Sequence, residues 1–541
     1  MRRLLLFGLA AIVLLLAGAG IALALRGQSP LADQRAVVSL GQQRLDSGVQ
    51  GIPPSPTFSL RLGATRRVGD YQAALDGKSL ALQGRGAGSA DLGVPAQPQG
   101  SWHHLEVWRP GSGGRHDDAV AVDFRIVEPL QLAVGWLSGP DATRAEVTWS
   151  RQPVDTAGIV AKLQAAGATV SSDSSSAIAT WTAPSAGQRL QFAIPAGFAA
   201  TDGGFLAQPF DAGLTVGEST SALQLSDAPT VDGSGLRLQV YYVSDPAARQ
   251  DLARHAKQIS VLSPSFYSVD AGGSVHGNID SAALAVAQQA GVEVEPLVAN
   301  QDFDSGVGHQ LLTTPGLVDQ VGSQLLAQAK AHGYTGYQLD FENLAAADHD
   351  SLSAFSNSLA SRLQAAGLHY SVAVIPRRST SSLSGPAAIY DYPSLTQGAG
   401  WLTMMAYDEH TRQEDPGPVA GLDWVKQVMA FSTTRLDPAR VYLGVPLYSR
   451  DFSLAAAPTA RSYSDTLGVA ARSSGTLSWQ FGVATARAEY IADGVQHVAW
   501  LDSRASLAAK IGLAHDTHLA GVSAWRLGFE DPDFWSLWPS R

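Results

Sequence analysis

Two carboxylates stand two positions apart in the run Gly336-Tyr337-Gln338-Leu339-Asp340-Phe341-Glu342-Asn343. In an extended chain successive side chains point to opposite faces, so Gln338, Asp340 and Glu342 share one face while Tyr337, Leu339 and Phe341 share the other. The apolar set suits packing against helices, which turns the polar set toward an interior where two carboxylates are costly unless paired or used. At about 3.3 Å per residue their Cα atoms lie about 6.6 Å apart, close enough for like charge to raise one pKa. A proton donor beside an ionised partner near neutral pH is the expected result, and that is the equipment of acid–base catalysis. Glycosidases that work with two carboxylates hold them roughly 5–10 Å apart, on either side of the bond they cleave. Neighbours on one face of one strand do not easily flank a sugar. They can cooperate differently, one protonating a leaving oxygen while the other orients a nucleophile that belongs to the substrate. A hydrogen-bonded polar layer inside a barrel is the non-catalytic use of the same residues.

The elements that must position this pair begin after the polar, Gly/Pro-rich linker at residues 226–235. From there to the C-terminus strand-like and helix-like stretches alternate. Strand candidates are Leu236–Val243, Ile259–Tyr267, Val292–Ala299, Gly336–Phe341, Tyr370–Ile375, Trp401–Tyr407, Val441–Leu447 and Gly521–Trp525. Helices are expected from Pro246, Ser281, Pro315, Ala347 and Leu422. Val318, Val321, Leu325 and Leu326 fall on one helical face, and Gly333 is the stop. Eight such strands predict a (β/α)8 TIM barrel over 236–541, with reactive groups at the carboxyl ends of its strands. A small α+β insertion at about 450–518, between strands 7 and 8, is signalled by Asp493-Gly494, a type I′ hairpin turn flanked by strand-like runs.

Residues 28–225 read as all-β, with short alternating runs separated by Gly, Pro, Asp and Ser clusters. They divide into a β-rich domain at 28–138 and a β-sandwich at 139–225, interrupted by one helix, Thr156 to Ala166. His103, His104, His116, Asp117 and Asp118 lack finger or helical ligand spacing and are assigned no chemistry.

At the N-terminus, Met1-Arg2-Arg3 precedes 22 apolar or small residues, Leu4 to Leu25. Residues 1–27 are therefore expected to be a membrane-spanning signal anchor or a cleavable signal peptide, with the bulk of the chain outside the cytoplasm or secreted. The whole chain of 541 residues carries 37 Lys and Arg against 48 Asp and Glu, a net charge of −11, which argues against nucleic acid as a partner. With no cysteine, thiolate metal sites, disulfides and cysteine nucleophiles are excluded, and no metal or cofactor is expected.

Residues 236–541 resemble glycoside hydrolase family 18, the chitinase-type barrel, and within it the bacterial spore-cortex and cell-envelope branch. The family signature Asp-Gly-x-Asp-x-Asp-x-Glu aligns with residues 335–342, where Thr335 and Gln338 replace the first two aspartates. The resemblance gives Glu342 the place of the general acid and Asp340 that of the aspartate that polarises the substrate's N-acetyl group. Met405-Ala406-Tyr407-Asp408 resembles the sixth-strand motif whose tyrosine hydrogen-bonds the N-acetyl oxygen. Gly521–Gly528 resembles the last strand, with Trp525 as the floor of the reacting sugar, and Pro296–Asn300 and Gly444–Tyr448 resemble the third and seventh. The implied catalytic residues are Glu342, Asp340 and Tyr407, with Trp525, Asp408, Gln338, Asn300 and Met405 in substrate binding. The implied activity is retaining, substrate-assisted hydrolysis of an N-acetylglucosamine-containing polysaccharide such as chitin or peptidoglycan. A catalytically silent, glycan-binding barrel and a structural envelope protein are the alternatives. Residues 147–216 resemble a bacterial Ig-like domain, a module expected to act as a spacer.

Overall fold

The computed structural model describes residues 36–541 apart from 41–42, 46–48, 54, 64–65, 87, 99, 380–385, 412–414 and 454. Two five-stranded sheets form the first β unit. One runs in the order Gln43–Arg44, Val37–Leu40, Thr57–Arg61, Ser89–Gly93, Gln83–Gly86, and the other Val49–Ile52, His116–Ile126, Trp102–Pro110, Gln72–Leu75, Lys78–Leu80. Strand alternation puts Phe58, Leu60 and Leu92 of one sheet against Leu105, Val107 and Phe124 of the other in one core. His103 and its neighbours sit in hydrogen bonds here, with Nδ1 of His103 on Asp76 at 2.7 Å and that of His104 on Asp123.

In the second β unit a five-stranded sheet faces the Arg189–Ile194/Phe210–Thr215 hairpin over a core that includes Trp136, Trp149, Trp181 and Phe192. The helix falls at Thr156–Ala165, with Asp155 accepting a cap hydrogen bond from Gly158 N–H at 2.7 Å. This unit is packed tightly onto the insertion of the C-terminal unit. Ala133 and Leu137 share a core with Leu467, Leu477 and Trp479, and a Cβ on Gly135 would overlap the Leu477 carbonyl.

Two features of the expected fold are corrected. Residues 1–27, the expected spanning helix, lie outside the described residues, and no helix among the described residues is long and apolar enough to cross a membrane. Nor do residues 236–541 form the regular ring of eight unbroken strands. They build one eleven-stranded sheet in the order 275–277, 267–269, 297–300, 336–340, 369–374, 401–404, 441–446, 521–525, 237–242, 261–264, 293–294. The second and third strands are each broken in two, Val261–Pro264 from Tyr267–Val269 and Glu293–Val294 from Leu297–Asn300. Proline supplies the reason: Pro264 and Pro296 cannot donate to a ladder, so pairing lapses beside each. Isolated backbone hydrogen bonds bridge the breaks, Glu295 N to Leu262 O at 2.9 Å and Gln338 N to Pro296 O at 3.1 Å.

The parallel strands are nonetheless packed as the sequence implies. Leu339 and Phe341 join the core beneath the helices, and Tyr337 donates to the Leu325 carbonyl of the Leu317–His332 helix at 2.7 Å. The insertion is a five-stranded sheet with the helix Tyr463–Arg472. Its hairpin turns at Asp493 (φ 51°) and Gly494 (φ 77°), both left-handed as a type I′ turn requires. The helix Arg504–Asp516 packs on the core of the eleven-stranded sheet through Leu507 and Ile511.

Candidate active site

The strand Gly336–Asp340 is buried throughout, and its carboxyl end delivers Asp340 and, two residues on, Glu342 into a cavity of about 440 Å³. Tyr241, Met405, Tyr407, Asp408, Trp424 and Trp525 also line it. A larger cavity of about 740 Å³ lies between the second β unit and the insertion, away from these strand ends.

Asp340 is 7% exposed and hydrogen-bonds Glu342. Burial, and then the charge of Glu342, push the Asp340 carboxyl well above the ordinary range. Glu342 is also raised, by burial and then by the charge of Asp408, while the hydrogen bond from Asp340 pulls it back. Both carboxyls are thus held toward their protonated forms, Asp340, the more deeply buried, the more strongly. The other Asp340 oxygen, Oδ1, is a buried acceptor with no hydrogen-bond partner among the described residues. A buried acceptor left unsatisfied is costly, so its presence beside a cavity marks a place for a donor.

Below Asp340 the sheet interior is polar but uncharged. Gln338 is fully buried, accepts from the Tyr241 hydroxyl at 2.7 Å and donates to Ser371 and Thr403 at 3.1 Å each. Thr403 and Ser523 continue to Gln239, which donates to Ser263 at 2.6 Å. Gln338 was expected to touch substrate. It does not line the cavity, because both ends of its amide are spent in this layer. Asn300 does not line this cavity either: it is 1% exposed, lines a neighbouring cavity of about 550 Å³ and grips the backbone of Glu342. Its Oδ1 accepts from Glu342 N at 2.9 Å, and its Nδ2 donates to the carbonyls of Glu342 and Asp304 at 3.1 Å each. The Thr335 hydroxyl donates to the Val294 carbonyl at 3.2 Å.

The other expected residues do meet at the cavity. Tyr407 is a phenol whose pKa is pushed well above its usual value by burial and by nearby Tyr241 and Asp340, so it remains a donor. Trp525 ends the strand Gly521–Trp525 and packs on Tyr241 with ring centroids 5.3 Å apart. Asp408, at φ 61°, accepts from Tyr448 and from Arg450 of the insertion. Tyr241, Tyr448, Arg450 and Trp424 were not anticipated. Only the position of Tyr448 and Arg450 just past a strand end could have signalled them.

Among the described residues one cluster brings three potential metal ligands within 4.8 Å of one another: Glu293, Glu295 and His369, at the amino ends of the strands. There the two carboxylates already have partners, Arg237 on Glu293 at 2.6 Å and the His369 ring on Glu295 at 2.9 Å.

Comparison with known proteins gives this geometry a context. The family model described as glycosyl hydrolases family 18 matches residues 237–530, more than half of the chain. A putative sporulation-specific glycosylase, YdhD of Bacillus subtilis (strain 168), is 26% identical over 300 residues, covering 53% of this chain and 70% of that protein. The crystal structure of a chitinase from Chromobacterium violaceum ATCC 12472 superposes with a TM-score of 0.53 and 28% identity, over 56% of this chain and 97% of that one. The spore cortex-lytic enzyme SleL of Bacillus cereus shares the fold with a TM-score of 0.54 at 19% identity, over 60% of this chain and 77% of that one.

Proposed function

The chain belongs to glycosyl hydrolases family 18 and is a glycosidase, and from that premise we propose that it cleaves β-linked N-acetylhexosamine polymers with the substrate's own acetamido group as nucleophile. One observation carries the reading. The buried Oδ1 of Asp340 has no hydrogen-bond partner among the described residues, and Asp340 and Glu342 together line the cavity. An acetamido N–H is a donor of the right kind.

Its arrival also redistributes protons within the pair. A hydrogen bond from the amide favours ionised Asp340, so the proton passes to Glu342, the partner nearer the solvent. Glu342 then protonates the leaving glycosidic oxygen as the C1–O bond breaks, and the acetamido oxygen closes on C1 to form an oxazolinium ion. Ionised Asp340 stabilises the positive charge on that ring, and the Tyr407 hydroxyl orients the acetamido oxygen. Water then attacks C1 from the face the leaving group vacated and gives its proton to Glu342, so the anomeric configuration is retained. Trp525 supports the sugar ring. Among the described lining residues there are three carboxylates and no Lys or Arg, which suits neutral N-acetylhexosamine rings better than acid-bearing ones. The same reading places the enzyme outside the cytoplasm, on the strength of the basic start and apolar run of residues 1–25 alone; fractionation of cells tests that part.

The catalytic test is direct. Chitooligosaccharides and peptidoglycan are incubated with the full chain and with Glu342→Gln, and the anomer first released is identified. Retention, with a rate loss on the order of 10²–10⁴-fold in the variant, is expected. Inversion, or unchanged turnover by Glu342→Gln, overturns the mechanism.

A further inference from the structure

The strand Leu132–Ser138 of the second β unit is buried on both faces. Alternation sends Leu132, Val134 and Trp136 into the unit's own core and Ala133, Gly135 and Leu137 outward. The outer face of an antiparallel sheet is ordinarily polar and solvated. Here it is small and apolar, and the strand beside it continues the patch, with Leu225 paired to Ala133 and Leu223 to Gly135. The insertion covers this face. Leu137 shares a core with Leu467, Leu477 and Trp479, and the Trp479 carbonyl accepts from the Thr148 hydroxyl at 3.3 Å. Glu146, opposite Gly135 in the ladder, hydrogen-bonds Thr476 of the insertion. The fit is close along its length: a Cβ on Gly139 would overlap the Ala471 carbonyl.

The strand so covered, Thr476–Gln480, leads to the catalytic cavity by two routes. Just past its end, the Val483 carbonyl accepts from Leu422 N at 2.9 Å. That amide opens the helix Leu422–Thr433 and has no partner within the helix. Two residues on, the same helix carries Trp424, which lines the catalytic cavity. The second route runs through the sheet. Thr476–Gln480 pairs with Thr485–Ala492, that strand with Val495–Leu501, and that one with Ser449–Ser453. Asp451 locks the last of them, accepting from the Tyr490 hydroxyl at 2.7 Å and Arg461 Nε at 3.0 Å and bonding His497 Nδ1 at 2.9 Å. The neighbouring Arg450 reaches Asp408 at the cavity. We propose that the second β unit is a brace for the active site: seated on Thr476–Gln480, it fixes where Trp424 and Arg450 stand. Close-packed interfaces transmit a displacement instead of absorbing it. Leu137 and Thr148 are positioning residues in this arrangement, since neither lines the cavity. The inference rests on the glycosidase reading above for the substrate that reports on it.

The test uses the full chain. Leu137→Ala and Thr148→Val loosen the seam, Leu137→Met keeps its volume, and Leu163→Ala opens a hole inside the second β unit's own core as a control. Hydrogen exchange is followed by mass spectrometry, and kcat and KM on chitohexaose are measured well below the denaturation midpoint. In Leu137→Ala, peptides holding residues 422–424 and 449–451 exchange about tenfold faster than in the wild type, while those of the helix Leu317–His332 keep their rate. In the same variant kcat/KM falls about tenfold. Thr148→Val moves both readouts by a smaller factor, Leu137→Met restores them, and Leu163→Ala leaves them at wild-type values. Unchanged exchange at 422–424 in Leu137→Ala, or equal acceleration along the whole chain, overturns the proposal, as does faster exchange with kcat and KM unmoved. If Leu137→Ala fails to fold, Thr148→Val decides by the same criteria. A wild type that leaves chitohexaose intact refutes the N-acetylhexosamine reading instead, and the exchange rates still decide the brace.

Discussion

Replacing Asn300 by alanine separates a positioning role from simple packing. The side chain makes three hydrogen bonds, one from Glu342 N to Oδ1 at 2.9 Å and two from Nδ2 at 3.1 Å to the Glu342 and Asp304 carbonyls. At about 1 kcal/mol net for each, the variant should lose about 3 kcal/mol of stability. The effect on rate has a different origin. Glu342 lies beyond the last strand residue, Asp340, so no ladder holds its peptide, and the Asn300 amide is what fixes where its carboxyl sits. Misplacing a catalytic group by about 1 Å costs about 10²-fold in rate. Urea denaturation and steady-state kinetics on a chitooligosaccharide measure the two effects separately: a loss of about 3 kcal/mol, and kcat down about 10²-fold with KM changed far less. Asn300→Asp sharpens the contrast. It keeps the acceptor for Glu342 N but turns the donor into a second acceptor and adds a charge near Glu342, raising the Glu342 pKa and moving the pH–rate profile. If Asn300→Ala loses stability as expected while kcat stays at the wild-type value, the amide is a structural clamp only and the positioning argument is refuted.

Further predictions concern charge and packing. Because burial raises the Asp340 and Glu342 pKa values, the native state holds a proton that the unfolded chain releases. The pair's contribution to stability is greatest below the ordinary carboxylate pKa and is lost as pH rises through the raised values. Denaturation midpoints of the wild type should therefore fall between pH 4 and 8 more steeply than those of Asp340→Asn; a steeper fall in the variant would contradict the assignment. Arg450→Ala removes the cation that offsets Asp408, whose charge already raises Glu342. The alkaline limb of kcat/KM, where the acid loses its proton, should move to higher pH, and a shift to lower pH would show that Glu342 is not the acid. Gly135→Ala forces a Cβ into the Leu477 carbonyl where the second β unit meets the insertion, and overpacking of this kind costs about 1–3 kcal/mol. Stability within about 0.5 kcal/mol of wild type would mean that the two sheets are not in fixed contact.

What the sequence discloses about the site follows from where its information is local. The period of two in residues 336–342 is enough to put Asp340 and Glu342 together, and the apolar face of Tyr337, Leu339 and Phe341 is enough to turn them inward. The breaks at Pro264 and Pro296 were also written in the chain, since proline cannot donate to a ladder, yet the apolar runs around them read as continuous strands. The roles of Asn300 and Gln338 were not legible. Both are amides at strand positions near the reactive end, and pattern alone cannot say whether an amide faces the cavity or a neighbouring strand. Register decides it: Gln338 pairs with Ser371 on the adjacent strand, and Gln239 with Ser523.

That register has a chemical consequence. With Gln239, Ser263, Gln338, Ser371, Thr403 and Ser523 occupying the interior beneath the pair, no carboxylate lies below Asp340 among these hydrogen-bonded groups to take its proton. Thr335 and Gln338, where the family signature has aspartates, thus leave Asp340 coupled to Glu342 alone. In such a system the event that frees Glu342 to act as an acid is ionisation of its own neighbour. Under the proposed mechanism, substrate binding at Oδ1 of Asp340 and readiness of the acid would be one equilibrium rather than two.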